Sequence, residues 1–163
     1  MRVSPCAWIA KSLGEAETLA KKSAEVTHNH PEGIKGAQAV AAAIYMARKK
    51  ASKKEINDYI TATYGYDLTR TISEIKSMGY KFDVSCDGSV PEAITAFLES
   101  NDFEEAIRLA IYLGGDADTQ AAIAGSIAEA YYGIPQELVD KIKPLLNDTL
   151  IQTIEHFNNY CNE

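Results

Sequence analysis

The sequence predicts an all-α protein, and three observations carry that prediction. The capping-box pattern S/T/D-x-x-E recurs at Ser12–Glu15, Ser52–Glu55, Thr71–Glu74, Ser89–Glu92 and Asp102–Glu105. Apolar residues then follow at helical spacing, as in Phe103, Ala106, Ile107, Ala110 and Ile111. Strand-like alternation is confined to Tyr80–Val84, which is too short to argue for a sheet and reads as an extended loop.

The elements follow in order. Ser12 opens a first helical pattern. Val40, Ala43, Ile44 and Ala47 mark the apolar face of a second, and the pairs beginning at Ser52 and Thr71 open two more. Ser89–Glu92 opens a shorter run through Ala93, Ile94, Phe97 and Leu98. Asp102 opens the next helix, and Ala117–Tyr132 is one helix unusually rich in Ala, Gly and Ser. A glycine inside a helix costs roughly 1 kcal/mol against alanine and is tolerable where another backbone comes close, so the small residues around Gly125 suit a tightly packed central helix. Pro135, placed at a first helical turn, opens a run to about Leu146, and a last helix covers Leu150 to Tyr160. The total is eight or nine helices in a single domain over residues 1–163, long enough to bury a sizeable core.

Composition narrows the function classes. The net charge is −7 and basic residues come only in short runs on helical patterns, which argues against nucleic acid. Three cysteines without a C-x-x-C pair do not suggest a disulfide framework or a structural zinc. No apolar run approaches the length of a membrane span and the N-terminus lacks a signal-peptide layout, so a soluble cytoplasmic protein is expected.

Three segments could carry chemistry. In Gly114-Gly115-Asp116-Ala117-Asp118-Thr119, two carboxylates and a hydroxyl gather at the mouth of a helix. One aspartate suffices to cap a helix, whereas three oxygens suit a hard divalent cation, and both readings stand. An EF-hand is excluded: counted from Asp116, loop position 6 is Ala121 instead of Gly and position 12 is Ile127 instead of Glu. Thr27-His28-Asn29-His30-Pro31-Glu32-Gly33 is a polar inter-helix loop, suited to a helix cap or to hydrogen-bonding a polar ligand. Cys86 is a small filler residue or, with His28 or His30 as base, a nucleophile. No P-loop and no G-x-S-x-G elbow occur.

Taken together, these stretches resemble the ADP-ribosylglycohydrolase family, of the dinitrogenase reductase-activating glycohydrolase type. The resemblance rests on Gly-Gly-Asp-Ala-Asp-Thr followed by Ala121-Ala122-Ile123-Ala124-Gly125 and Tyr132-Gly133-Ile134-Pro135. Thr27-His28-Asn29-His30-Pro31 with Gly33-x-x-Gly36-Ala37, Met1-Arg2-Val3-Ser4-Pro5, and Ser89-Val90-Pro91-Glu92-Ala93 with Phe97 support it.

The resemblance implies a compact multi-helix orthogonal bundle and a pair of divalent ions, Mg2+ or Mn2+. It implies hydrolysis of the glycosidic bond joining ADP-ribose to a protein side chain or small molecule. By resemblance, Asp116, Asp118 and Thr119 are metal ligands, His28, Asn29 and His30 line the ADP-ribose cleft, and Arg2 and Ser4 lie near it. The catalytic residue is not assigned. The family's N-terminal Gly-Asp-x-x-Gly and Thr-Asp-Asp segments have no counterpart here, since Asp-Asp does not occur. The chain is therefore expected to be a C-terminal part, truncated at the N-terminus, with impaired hydrolysis. A homo-oligomer or a complementing N-terminal piece would cover the apolar surface so exposed. The alternative is a non-catalytic helical module that binds ADP-ribose or a partner protein.

Overall fold

The computed structural model describes residues 1–162, and of Asn162 the backbone alone. Among them are ten α-helices, one single-turn 3-10 helix and no strand, so the chain is all-α. They fall into two compact units, Met1–Tyr132 and Gly133–Glu163.

The first unit holds α1 (Ser4–Ile9), α2 (Leu13–Glu25), α3 (Pro31–Arg48), α4 (Lys53–Tyr64), α5 (Ile72–Ser77), α6 (Cys86–Glu99), α7 (Phe103–Leu113) and α8 (Ala117–Tyr132). At its centre α3 packs against α1, α2, α4, α6 and α8, while α6, α7 and α8 pack against one another. Small side chains make this possible. The buried face of α3 is mostly alanine and glycine, with Val40 and Ile44, and α8 buries Ala124, Gly125, Ala128 and Ala130 beside Ile123 and Ile127. Bulk comes from neighbouring helices: Phe97, Ile56, Ile60 and Ile94 are fully buried, each stabilising the fold by about 1.5–3 kcal/mol. Phe97 also meets Tyr131 and Tyr132 edge-on, with ring centroids 5.4 and 6.3 Å away.

Four of the five capping pairs form where the sequence places them. Ser12, Ser52, Thr71 and Asp102 each accept a hydrogen bond from the backbone N–H three residues on, and those at Ser52 and Thr71 are full capping boxes. The fifth is a correction. α6 begins at Cys86 and is capped by Ser85, whose hydroxyl accepts from the Gly88 N–H at 3.0 Å. Ser89 and Glu92 are buried inside the helix with tertiary partners: Ser89 Oγ donates to the Asp83 carbonyl, and Glu92 pairs with Arg70. Pro91 therefore lies within the helix instead of at its start, where its missing N–H leaves the Asp87 carbonyl without an i+4 donor.

The helix count exceeds the expected eight or nine because α1, of six residues, is too short to show a period. Residues 80–84 are extended and irregular, as expected.

The second unit holds α9 (Gln136–Ile142), the 3-10 turn Lys143–Leu145 and α10 (Asp148–Asn162). Pro135 stands one residue before α9 and not inside it, and Pro144 accounts for the tightening into a 3-10 turn. α10 starts two residues before Leu150, where Asn147 Oδ1 accepts from the Leu150 N–H. Lys143 and Glu155 form an ion pair at 2.9 Å within this unit.

Candidate functional site

A cleft of about 470 Å³ opens in the first unit between α3, α6 and the start of α8. Its walls bring together Arg2, His28, Asp116 and Thr119, residues far apart in the sequence. Ser85, Cys86 and Ser89 contribute from the first turns of α6.

The His28 wall is built by hydrogen bonds that tie Arg2 to the end of α2 and the loop after it. The Arg2 guanidinium donates to the Ser23 carbonyl and to Thr27 Oγ1, both at 2.7 Å. Thr27 Oγ1 lies 2.7 Å from His28 Nδ1. A guanidinium can only donate, so Thr27 Oγ1 accepts from Arg2 and keeps both a proton and a second lone pair for the His28 ring nitrogen. Arg2, Thr27 and His28 thus form one hydrogen-bonded chain that fixes the orientation of the imidazole. The helix behind it needs glycine: a Cβ on Gly33 would stand 2.6 Å from the His28 carbonyl oxygen.

The remaining sequence candidates are placed differently. His30 is the N-cap of α3, and its Nδ1 accepts from the Glu32 N–H at 3.2 Å. That assigns it a capping role at a helix N-terminus, not at the C-terminus of the preceding helix. Asn29 is exposed between the two histidines, and Ser4 is the half-buried first residue of α1. Neither they nor His30 line the cleft.

The opposite wall is the Gly-Gly-Asp-Ala-Asp-Thr turn. Gly114 ends α7 in the left-handed conformation at φ 78°, which favours glycine. The Asp116 carbonyl accepts from the Gln120 N–H, opening α8. Asp116 and Thr119 line the cleft, while Asp118 is exposed on the same turn. A side-chain hydrogen bond with Asp116, and then the Thr119 N–H, hold the Asp118 carboxyl below the usual carboxylate range. Two oxygen-bearing side chains and the Thr119 hydroxyl thus share one helical turn. Among the described residues, no third His, Cys, Asp or Glu joins them in a cluster.

Polar groups surround the α6 side of the cleft. Lys35 pairs with Glu32 at 2.8 Å and Asp87 at 3.4 Å and sits over the Tyr66 ring. Burial disfavours its charge, but the two carboxylates outweigh burial and raise its pKa. Glu92, 5% exposed, accepts from Arg70 at 3.1 Å. Burial pushes its pKa up against the pull of Arg70. Sequence patterns did not reveal Tyr80 and Gln120. Gln120 Nε2 donates to Tyr80 Oη at 2.5 Å, and that hydroxyl donates to the Gly88 carbonyl at 2.7 Å.

The ADP-ribosylglycohydrolase family profile matches residues 1–162. The chain belongs to the ADP-ribosylglycohydrolase family. It is 31% identical over 155 residues to an ADP-ribosylarginine hydrolase, Tri1, of Pseudomonas putida, covering 87% of this chain and 40% of that protein. Against ADP-ribosylhydrolase ARH3 of Homo sapiens it is 28% identical over 182 residues, covering 83% of this chain and 50% of that protein. A solved ADP-ribosylglycohydrolase-related protein complex superposes with a TM-score of 0.62 at 28% identity, covering 82% of this chain and 48% of that one. The chain thus spans about half the length, or less, of these family members. No helix among the described residues is long and apolar enough to cross a membrane.

Proposed function

We propose that the cleft serves ADP-ribosyl glycohydrolysis: it takes the ADP-ribose unit of a modified protein side chain or small molecule, in the cytoplasm. The observation that carries this reading is the meeting of Arg2, His28, Asp116 and Thr119 on one cleft of a family member.

The donor chemistry fits a hard divalent cation. Asp116, Asp118 and Thr119 offer oxygen donors from a single turn, and Mg2+ prefers carboxylates supplemented by water and substrate oxygens. These residues would hold one side of a Mg2+ or Mn2+ site. The remaining ligands would come from water, substrate hydroxyls and acidic groups beyond this cluster, including those of a second copy or a complementing N-terminal piece. Bound metal supplies Lewis-acid polarisation and a water of lowered pKa. Arg2 bears on the ligand through His28, which it orients by way of Thr27. With Nδ1 engaged by Thr27, Nε2 of His28 is the ring nitrogen left to meet a ribose hydroxyl or phosphate. Carboxylates at the Asp116 wall stabilise positive charge developing in an oxocarbenium-like transition state.

A second reading is favoured by the absence of a third acidic, His or Cys group beside the aspartate pair among the described residues. On that reading the chain binds ADP-ribose without cleaving it. Mg2+-dependent release of ADP-ribose from modified Arg or Ser peptides separates the two. Release that is lost in Asp116→Ala and Asp118→Ala supports hydrolysis. Binding of ADP-ribose without release supports the binding module. Release unchanged in both variants overturns the metal-ligand assignment.

A further inference from the structure

Tyr80 is half-buried between α6 and the start of α8, two of the elements that border the cleft. Its ring packs against a core cluster that includes Ile72, Ile75 and Leu113. Its hydroxyl accepts from Gln120 Nε2 and donates to the Gly88 carbonyl, which uses both its hydrogen-bonding roles. Gln120 is fully buried, and its Oε1 has no protein partner in the described structure. Burying that oxygen is costly, so the Nε2 contact must offset the cost. With the Tyr80 proton given to the Gly88 carbonyl, Nε2 is the amide atom that can complete the bridge, since turning the amide round would cost the Gly88 bond. The neighbouring backbone is fitted to this contact. A Cβ on Gly115 would stand 2.6 Å from Tyr80 Cε1, 2.7 Å from Tyr80 Oη and 2.9 Å from Gln120 Nε2. Gly115 directly precedes Asp116, and Gly88 lies in the same first turn of α6 as Cys86. Asp116 and Cys86 are on the two walls of the cleft.

We infer that Tyr80 is a positioning residue: its hydroxyl pins the first turn of α6 to the start of α8 and so sets the spacing between the two cleft walls. What that spacing serves rests on the function proposed above; the pin itself does not.

The test uses the full chain and two readouts. Alkylation of the three cysteines by iodoacetamide is followed by peptide mass spectrometry, and Mn2+ binding is followed by electron paramagnetic resonance. Tyr80→Phe keeps the packed ring and removes both hydrogen bonds. Alkylation of Cys86 is expected to speed up about tenfold, the scale of one lost hydrogen bond in a local opening equilibrium. Alkylation of Cys6 is expected to stay unchanged, and Mn2+ affinity to fall several-fold. Gln120→Leu should reproduce the Cys86 effect, and the double variant should add little to either single one, because each breaks the same Gln120–Tyr80–Gly88 bridge between α8 and α6. Equal acceleration at Cys6 and Cys86 would mean general loosening and overturns the proposal, as does an unchanged Cys86 rate in Tyr80→Phe. If Gln120→Leu does not fold, Tyr80→Phe decides alone. If the unsubstituted chain binds no Mn2+, the metal reading of the cleft falls, and the Cys86 rate still decides the pin.

Discussion

Thr27 Oγ1 stands 2.7 Å from His28 Nδ1 while also accepting a hydrogen bond from Arg2 at 2.7 Å. The hydroxyl therefore ties the Arg2 guanidinium to the His28 ring nitrogen. Replacing it with an isosteric methyl tests this. Thr27→Val is expected to change the tautomer balance of His28 in nitrogen-detected NMR. ADP-ribose affinity should fall about 2–10-fold, the size of one hydrogen bond of about 0.5–1.5 kcal/mol. Thermal stability should barely change, since the group is exposed. An unshifted tautomer would remove the relay.

Gly33→Ala places a methyl 2.6 Å from the His28 carbonyl. Backbone must move, because the obstructing atom is not a flexible side-chain end. The expected loss is about 1–3 kcal/mol, read from denaturant unfolding, as for overpacking elsewhere. The same variant should perturb the amide resonances of residues 27–30.

Arg70→Met is expected to destabilise the first unit by about 2 kcal/mol, because it leaves Glu92 buried without its cation. Arg70 is about one-third exposed, so the loss should fall short of the 3–5 kcal/mol seen when a fully buried pair is broken. Adding Glu92→Gln to the Arg70→Met background should recover part of the loss. No recovery in the double variant would show that the pair is not the source.

Glu129 on α8 has its carboxyl pKa raised by burial. In the folded state it therefore holds a proton to higher pH than in the unfolded state. Between the ordinary value of 4.5 and the raised one, the folded form binds more protons, so stability falls as pH rises through that window. Glu129→Gln removes the charge and should flatten that part of the stability curve relative to the parent chain. Urea midpoints measured from pH 4 to 8 check it; parallel curves for the two proteins would contradict it.

Much of the secondary structure was legible because capping is local. A serine, threonine or aspartate needs only the N–H three residues ahead, and both groups are written in the same short stretch of sequence. The failure at α6 shows where local reasoning stops. Ser85 and Ser89 both offer a cap four residues apart, and the local pattern around Ser89 and Glu92 is the more complete. What decides between them lies outside that pattern: the Asp83 carbonyl in the preceding loop takes the Ser89 hydroxyl and Arg70, from before α5, pairs with the Glu92 carboxylate, so both polar groups can be buried mid-helix.

The site divides in the same way. The sequence alone determined an all-α chain, the placing of most helix starts, and the Gly114–Thr119 turn that gathers oxygen donors, because each follows from side chains within a few residues of one another. It also carried the family resemblance. Tertiary structure decided which candidates share a cleft. His28 lines the cleft while Asn29 and His30 do not, and Asp116 and Thr119 join Cys86 in its lining. It also decided that a tyrosine from an irregular loop and a buried glutamine hold those walls. Such choices depend on close approach between segments far apart in the chain, and on which polar groups find partners once water is excluded.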